Sequence, residues 1–254
     1  MNIRQASIVD IIEKNKTISL EEIKRQFRVS DMTARRDLLL LEKQGYIARI
    51  KGGAIVKKKI IKLHHSFHER EKLHITEKKA IAMKAVELIE ANEKIILDAG
   101  TTTLCIAKEL SKREKRLTVA TNSLAVANVL SDSPVDVMIF GGYIRKEVPD
   151  LIGPLTEKYL TEFHADKLFI GCDGIVIDQG LYTSDLYLSS IDEKMMKIAD
   201  RVILITDSSK FGKKAFMKYS TVDIIDTVVT DSNINQNVIK QLSDRGIRVL
   251  VAQV

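Results

Sequence analysis

The sequence has few of the features that mark a secreted or membrane protein. Its 254 residues include two cysteines, three prolines and no tryptophan. No apolar run approaches the ~20 residues needed to span a bilayer, and the first residues, MNIRQASIVDIIEKNK, mix both charges, unlike a secretory signal. Cys105 and Cys172 lie in apolar stretches, which predicts buried, reduced thiols rather than a disulfide framework. We therefore expect a cytoplasmic protein with no membrane partner.

Positive charge is concentrated in the first third of the sequence. Residues 1–75 contain 17 Lys and Arg against 9 Asp and Glu, whereas residues 76–254 contain 23 against 25. A basic segment joined to a near-neutral body indicates contact with nucleic acid or a membrane surface. A solvated face with a lysine-rich linker would give the same imbalance, so charge alone does not decide between them.

The sequence begins with the pattern of three short helices. Isoleucines recur at helical spacing within residues 3–14, and Ser19 with Glu22 forms a capping box for a second helix. Ser30 is predicted to cap a third helix that ends at Gly45. The second and third helices, joined by a tight turn, make a helix-turn-helix arrangement.

The third helix has the side chains of a DNA recognition helix. Leu38, Leu40 and Leu41 supply its apolar side, while its first turns carry groups able to reach base edges or phosphates. Two short strands about Gly52 and Gly53 would follow as a wing with two cations. The predicted DNA-binding residues are Ser30, Met32, Thr33, Arg35, Arg36, Arg49 and Lys51. A three-helix bundle that binds another protein is the alternative.

Residues 29–55, VSDMTARRDLLLLEKQGYIARIKGGAI, closely resemble the DNA-binding signature of the DeoR family of bacterial transcriptional regulators. In that family the segment is a winged helix-turn-helix. The resemblance implies binding to double-stranded operator DNA, with Ser30, Thr33, Arg35 and Arg36 at the major groove.

A basic, histidine-rich stretch follows the wing. It carries His64, His65, His68 and His74, yet no cysteine or close carboxylate array with metal-ligand spacing, so we predict no metal site. Part of it, SFHEREKLH, resembles the connecting segment of the DeoR family, which implies partial order. The predicted division of the chain is a winged helix-turn-helix domain at 1–56, a linker at 57–76 and an α/β effector-sensing domain at 77–254.

From residue 77 onward, apolar strands alternate with helical patterns. This order predicts a mainly parallel sheet covered by helices on both faces, a Rossmann-like α/β fold. Cys105, Met83, Met195 and Met196 fall at helical core spacing and are predicted to pack inside. In open sheets of this kind, ligands bind outside the carboxyl ends of the strands.

Small polar residues, glycines and cations collect at those predicted strand ends. LDAGTTT (97–103) delivers a glycine and three threonines to a helix N-terminus, where free N–H groups and the helix dipole favour a phosphate. Hydroxyls, Asp, Asn and a cation suit the rest of a phosphorylated polyol. The predicted effector-binding residues are Asp98, Gly100, Thr101, Thr102, Thr103, Asn122, Ser123, Gly142, Arg145, Asp173, Gly174 and Lys210.

Each of these residues also has a purely structural explanation. Asp98 or Asn122 could cap the next helix, glycines could form tight turns, and Lys210 could be a surface lysine. Their recurrence at successive strand ends is what favours a binding site.

The same stretches extend the family resemblance over nearly the whole chain. DAGTTT, TNS, GG.IR, GP, DGI and TDSSKFG match, in order, the sensor domain of the DeoR family, which resembles ribose-5-phosphate isomerase in fold and typically binds a phosphorylated sugar or a related intermediate. The resemblance implies that residues 100–103 cradle phosphate and that Asp98, Asn122, Arg145, Asp173 and Lys210 line the pocket.

An aldose–ketose isomerase is the competing prediction. Such an enzyme needs a carboxylate base and a lysine, and SSIDEKMMKIA resembles the isomerase's Glu-Lys helix around Glu193 and Lys194. The glycine-rich stretch with a lysine that precedes that helix in the isomerases is missing, and VIDQGLYTSDLYL stands in its place. We therefore predict a sensor with no catalytic residue and no cofactor, and leave Glu193 outside the site. The family resemblance implies a repressor, the commoner mode in that family, with an activator as the alternative. Because one recognition helix reads few base pairs, we expect a homo-oligomer, either a dimer or a tetramer.

Overall fold

The computed structural model describes residues 3–15, 17–43, 46–50, 52–56, 66–145 and 148–254. The chain separates into two compact units, residues 1–64 and residues 65–254, called here the first unit and the second unit. The predicted linker overlaps the second unit from residue 65 to residue 76.

The first unit contains three helices and a small antiparallel sheet. Its elements are α1 (Ile3–Asn15), β1 (Thr17–Ser19), α2 (Leu20–Phe27), α3 (Asp31–Lys43), β2 (Ile47–Ile50) and β3 (Gly53–Val56). The strand order is β1-β3-β2, so the predicted wing hairpin gains a third strand that three residues of sequence were too few to predict. This is the predicted winged helix-turn-helix.

Local signals set the ends of α2 and α3. Ser19 and Glu22 form the predicted capping box on α2, and Arg28 ends that helix in the left-handed region at φ 52°. The Ser30 hydroxyl accepts a hydrogen bond from the Thr33 backbone N–H at 3.3 Å, as expected of a cap for α3. Gly45, the predicted end of α3, lies outside the described residues.

The first unit has its own apolar core. Leu38 and Leu41 are buried on α3 and pack with residues of α1 and α2, among them Ile12 and Ile23. Leu40, predicted on the same apolar side, is 38% exposed, because it lies beyond the arc of the helix that faces the core.

The second unit alternates helices and strands. Its elements are α4 (Phe67–Lys72), α5 (Ile75–Val86), β4 (Lys94–Leu97), α6 (Thr101–Leu110), β5 (Thr118–Thr121), α7 (Leu124–Leu130), β6 (Asp136–Ile139), β7 (Tyr143–Ile144), β8 (Leu151–Ile152), α8 (Pro154–Leu160), β9 (Ala165–Ile170), β10 (Gly174–Val176), β11 (Gly180–Thr183), α9 (Leu186–Lys197), β12 (Ala199–Ile205), β13 (Met217–Ser220), β14 (Thr227–Asp231), α10 (Gln236–Asp244) and β15 (Arg248–Ala252). Short 3₁₀ turns lie at Ser208–Lys210 and Val222–Ile224.

Seven strands of the second unit form one parallel sheet, as predicted. Their order is β15-β14-β12-β9-β4-β5-β6. From β4 the chain continues to β5 and β6 on one side, and from β9 it continues to β12, β14 and β15 on the other. The strand order therefore reverses between β4 and β9, and a crevice at their carboxyl ends is where such sheets bind ligands.

Apolar side chains cover both faces of this sheet. Alternate residues of β4 belong to different clusters, with Ile95 and Leu97 packed under α5, α6 and α7, and Ile96 in the cluster that includes α8, α9 and α10. Met195 and Met196 are buried as predicted, whereas Met83 is 57% exposed on the outer side of α5. Both cysteines are free thiols, and the prediction of burial holds for Cys105 but not for Cys172, which is half-buried after β9.

A small antiparallel sheet, β10-β11-β13, was not predicted as such. Its middle strand, β11, lies in the stretch in which this sequence departs from the isomerases. Gly180 lies between its strands at φ 141°, and a Cβ there would lie 2.2 Å from the Ser220 carbonyl oxygen. The sheet brings β11, and with it the start of α9, to the carboxyl side of β9.

Candidate DNA-binding helix and candidate effector site

The first turns of α3 expose their polar side chains. Ser30, Met32, Arg35 and Arg36 are exposed, with Met32 at 81%. The Arg35 Nε donates to the Asp31 carboxylate one turn earlier at 2.5 Å. These side chains can therefore reach a partner without disturbing the core, as DNA binding requires.

A buried carboxylate fixes the other side of α3. Asp37 accepts hydrogen bonds from Arg4 Nε at 2.6 Å and from Gln5 Nε2 at 2.8 Å, both on α1. It is 3% exposed. Asp37 thus connects the candidate recognition helix to α1. The sequence analysis did not predict this role, because the helical pattern alone does not show that Asp37 is buried.

The wing contributes one described cation. Arg49 on β2 lies 3.1 Å from a Glu42 carboxylate oxygen of α3, and its backbone N–H donates to the other oxygen of that carboxylate at 3.0 Å. Lys51, the second predicted wing cation, lies outside the described residues.

At the switch point of the second unit, Asp98 joins two strand ends. Its carboxylate, at the end of β4, accepts hydrogen bonds from the backbone N–H groups of Gly100 and Gly171, each at 2.7 Å, and from the Thr103 hydroxyl at 2.6 Å. Burial raises the pKa of Asp98, and the three hydrogen bonds partly offset that shift. Asp98 and Thr103 therefore hold the loop in shape, which is close to the structural alternative considered for Asp98.

The predicted phosphate cradle lies at the start of α6. Gly100 is its N-cap with no side-chain cap, and Thr101 and Thr102 are buried in the first turn. A Cβ on Gly100 would lie 2.7 Å from an Asp98 oxygen, so a larger residue here would displace the Asp98 carboxylate. The first N–H groups of a helix have no intrahelical partner and can bind an anion.

Asn122 and Ser123, which follow β5, have different roles. Ser123 is fully buried and caps α7, its hydroxyl accepting from the Val126 N–H at 3.3 Å. The Asn122 amide donates to the Leu151 carbonyl at 3.2 Å, while its Oδ1 is buried with no hydrogen-bond partner among the described residues. Asn122 therefore retains an acceptor that a ligand hydroxyl could use.

Arg145 is already paired with carboxylates. Its Nε donates to Asp150 at 2.6 Å, and its two Nη groups bond to Asp150 and to Asp185, the N-cap of α9. These carboxylates raise the pKa of Arg145, while its burial acts in the opposite direction. Gly142, predicted nearby, allows a close approach, because a Cβ there would lie 2.2 Å from the Thr156 hydroxyl.

Asp173 is held by the start of the next segment. One of its oxygens accepts from the Ser184 N–H at 2.8 Å, and the other lies 3.7 Å from Arg70 Nη1. A Cβ on Gly174 would lie 2.4 Å from the Lys213 carbonyl oxygen, so this glycine also serves close packing.

Two lysines belong to the same region. Lys210 is half-buried in the 3₁₀ turn that Asp207 caps. Lys78 on α5 is 5% exposed and donates to the Arg70 carbonyl oxygen. Burial lowers the pKa of Lys78. The negative charge of Asp207 opposes this shift, and the positive charge of Lys210 adds to it. Lys78 was missed by the sequence analysis because it lies within a helix rather than at a strand end.

Asp192, not Glu193, is the carboxylate that α9 turns inward. Asp192 is 8% exposed, and burial together with the charges of Asp98, Asp173 and other carboxylates holds its pKa well above the usual range. Glu193 is exposed and pairs with Lys197 at 2.6 Å. Helical spacing separates these neighbours by about 100°, so only one of them can face the site.

The candidate effector site is thus a mixed cluster at the carboxyl ends of β4 and β9. Charge interactions link the predicted residues Asp98, Arg145, Asp173 and Lys210 with three that were not predicted, Arg70, Lys78 and Asp192, while Asn122 follows the neighbouring strand β5. Across the part of the chain that the structure describes, no group of three His, Cys, Asp or Glu residues is placed to hold a metal ion. Within the same residues, no helix is long and apolar enough to cross a membrane.

Comparison with known proteins agrees with both units. Residues 4–60 match the DeoR-like helix-turn-helix domain, and residues 73–232 match the DeoR C terminal sensor domain. The chain is similar to the HTH-type transcriptional repressor GlcR of Bacillus subtilis, at 35% identity over 251 residues, covering 98% of this chain and 96% of the relative. It is also similar to the glycerol-3-phosphate regulon repressor of Escherichia coli, at 30% identity over 247 residues, covering 97% of each chain.

Among solved structures, ribose 5-phosphate isomerase A from Neisseria gonorrhoeae is 18% identical, with a TM-score of 0.41, covering 58% of this chain and 56% of that chain. A likeness at that level carries no argument about activity. The two family matches, together with the relatives over almost the full length, show that the chain belongs to the DeoR family of transcriptional regulators.

Proposed function

We propose that this protein is a repressor of a carbohydrate-utilisation operon whose hold on operator DNA changes when a phosphorylated sugar binds in the second unit. The helix-turn-helix residues Ser30, Met32, Thr33, Arg35 and Arg36 would contact the major groove, and Arg49 and Lys51 the flanking phosphates. The proposed division is the one expected from the sequence, with DNA binding in 1–56, connection through 57–76 and effector sensing in 77–254.

The observation that carries this proposal is the pairing of two surfaces in one chain. One is a helix whose exposed first turns carry Arg35 and Arg36. The other is a sheet crevice where a free helix N-terminus lies beside cations and polar side chains. Electrostatic contact with DNA and anion binding at a switch point each explain one surface, and a sensor-regulator needs both.

The relatives support the direction of the response and the class of ligand. One is named as a transcriptional repressor, and another as the repressor of a glycerol-3-phosphate regulon. Both names agree with repression, and the second also contains the name of a small phosphorylated polyol. We further propose a homodimer or homotetramer, since paired half-sites double the number of base pairs read.

An isomerase is the less favoured function. The Glu193 carboxylate, which the sequence likens to the isomerase's helix, is exposed and paired with Lys197. Asp192 takes the inward position instead, so the carboxylate that the sequence likens to the isomerase's base does not face the site. Sensing needs no such base.

Two variants test the two surfaces against each other. Fluorescence anisotropy would follow binding to the DNA upstream of the protein's own operon, with and without glucose 6-phosphate, fructose 1-phosphate, fructose 6-phosphate and glycerol 3-phosphate. Arg35→Ala should weaken operator binding by about tenfold or more, the scale of one lost base contact, and leave effector binding intact. Lys210→Ala should leave operator binding intact and weaken the effector response.

Each variant is the control for the other. Unchanged operator affinity in Arg35→Ala would show that α3 is not the recognition helix, and an unchanged effector titration in Lys210→Ala would make Lys210 a surface lysine. Tight DNA binding that no phosphate alters would remove the effector proposal. Conversion of one of the four phosphates to its isomer would show instead that the protein is an isomerase.

A further inference from the structure

Arg70 is a cation of the candidate site that comes from an unexpected part of the chain. It lies on α4, the first described helix after residues 57–65, and within the stretch predicted as linker. Its side chain is 27% exposed and turns toward Asp173, which follows β9. A residue next to the segment that joins the two units therefore reaches the carboxyl edge of the sheet.

The Arg70 guanidinium is only loosely paired. Its Nη1 lies 3.7 Å from the Asp173 Oδ1, beyond hydrogen-bond distance, while the other oxygen of Asp173 is held by the Ser184 N–H. Its Nε is buried and has no hydrogen-bond partner among the described residues. Buried donors are nearly always satisfied, so one left over at a crevice indicates a partner that binds there.

Arg145, at the same edge of the sheet, is an arginine whose donors are bonded to protein carboxylates. It donates through Nε and both Nη groups to Asp150 and Asp185. Arg145 is therefore committed to the protein, whereas Arg70 keeps the Nε side of its planar fork. That fork matches two oxygens of a phosphate.

The backbone around Arg70 is anchored. Lys78, buried on α5, donates to the Arg70 carbonyl oxygen. Burial raises the pKa values of Asp98 and Asp150, and the positive charge of Arg70 offsets part of that rise, which places the guanidinium near these carboxylates. The side chain is held in the crevice, while its donors stay available.

We propose that Arg70 binds the anionic group of the effector through Nε and Nη, and that it is the site residue through which occupancy acts on the segment between the two units. This inference rests on the proposed function, since it needs a phosphorylated effector. A phosphate that closes on Arg70 engages α4 directly, whereas one held only by α6 would engage the sheet. Differential contact of this kind is what couples a ligand to a second site.

The test uses the full chain and the variants Arg70→Gln and Arg70→Lys. Lys72→Gln is the matched control, because it removes the same charge from an exposed position on the same helix. Isothermal titration would measure binding of the four sugar and polyol phosphates named above, of inorganic phosphate, and of unphosphorylated glucose, fructose and glycerol. Anisotropy would measure operator release at the same ligand concentrations.

Arg70→Gln should bind the phosphate compound that releases the wild-type protein at least about tenfold more weakly, because the paired charge-assisted hydrogen bonds are lost. It should also stay bound to the operator at ligand concentrations that release the wild type. Arg70→Lys should fall between the two, since it keeps the charge without the fork. Lys72→Gln should match the wild type.

Wild-type phosphate affinity in a folded Arg70→Gln would overturn the inference while leaving the proposed function standing. If Arg70→Gln fails to fold by circular dichroism, the same outcome in Arg70→Lys decides. A wild-type protein that responds to no probe would remove the proposed function and this inference with it.

Discussion

The two units hold their charged candidate residues in opposite surroundings. On α3 the Arg35 and Arg36 side chains stand in solvent. In the second unit Asp98, Asp192 and Lys78 are each more than nine-tenths buried. A surface that meets DNA must present its charges in advance, whereas a crevice for a small anion must hold its charges among compensating groups. The difference implies that charge removal costs function in the first unit and stability in the second.

Asp37 shows that burial, rather than the unit itself, makes the difference. It is the counterpart of Asp98 within the first unit, since it is buried and accepts bonds from two side chains of α1. Its neighbours Arg35 and Arg36 on the same helix are exposed. One turn of helix thus separates a structural charge from candidate functional ones.

The largest expected effect is the loss of stability in Asp98→Ala. The substitution leaves the backbone N–H groups of Gly100 and Gly171 without their acceptor at the β4–β9 junction. We expect destabilisation of about 3 kcal/mol, the scale for stranding donors of a buried charged group. Urea unfolding followed by circular dichroism measures it, and hydrogen exchange should place the loss at β4 and β9.

Asp136→Ala is the matched control for Asp98→Ala. Asp136 is an exposed aspartate on β6, the edge strand of the same sheet. Its removal should change stability by no more than about 0.5 kcal/mol, as for ordinary surface substitutions. Equal losses in the two variants would mean that Asp98 does not organise the switch point.

The next effect is a change in the pH dependence of stability in Asp192→Asn. Burial raises the pKa of Asp192 in the folded state, so the folded protein binds this proton more tightly than the unfolded chain does. The stabilisation is complete below the ordinary carboxyl pKa and is lost as pH rises through the folded-state pKa. Asp192→Asn should remove that loss and raise stability at pH 8 relative to the wild type, with a smaller change at pH 5.

Urea midpoints at pH 5 and pH 8 check this expectation. Glu193→Gln is the control, because Glu193 is the adjacent exposed carboxylate and should leave the pH dependence unchanged. If Asp192→Asn keeps the same difference in stability between pH 5 and pH 8 as the wild type, Asp192 carries no such proton.

The sequence predicts the first unit well because its signals are local. The capping box at Ser19 and Glu22 and the cap at Ser30 act within one helical turn, and the structure confirms both. The third strand β1 was missed because its partner β3 lies more than thirty residues away. Leu40 was misplaced because a run of leucines does not show which of them faces the core.

In the second unit the sequence predicts that strands alternate with helices and that polar residues collect at the carboxyl ends of the strands. It does not predict which of those side chains are left without a structural role. The strand pattern was enough for the parallel sheet, yet Ser123 and Thr103 turn out to hold their own loops. Arg70 and Lys78 could not be recognised as site residues from the strand ends, because they lie on α4 and α5, whose packing brings them to the carboxyl edge of the sheet. The contribution of each predicted effector residue to ligand binding stays a prediction.

The smallest expected effect on stability is that of Arg35→Ala, and it is the most direct check on the comparison. Arg35 is exposed and its bond to Asp31 spans one turn of the same helix, where solvent screens both charges. The unfolding midpoint of Arg35→Ala should match the wild type within experimental error, even though its operator binding is expected to fail. Thermal unfolding followed by circular dichroism gives this comparison, with Arg36→Ala as a second exposed cation of α3. A clear drop in the midpoint for Arg35→Ala would mean that this side chain supports the fold, and its loss of DNA binding could then no longer be assigned to a lost contact with the operator.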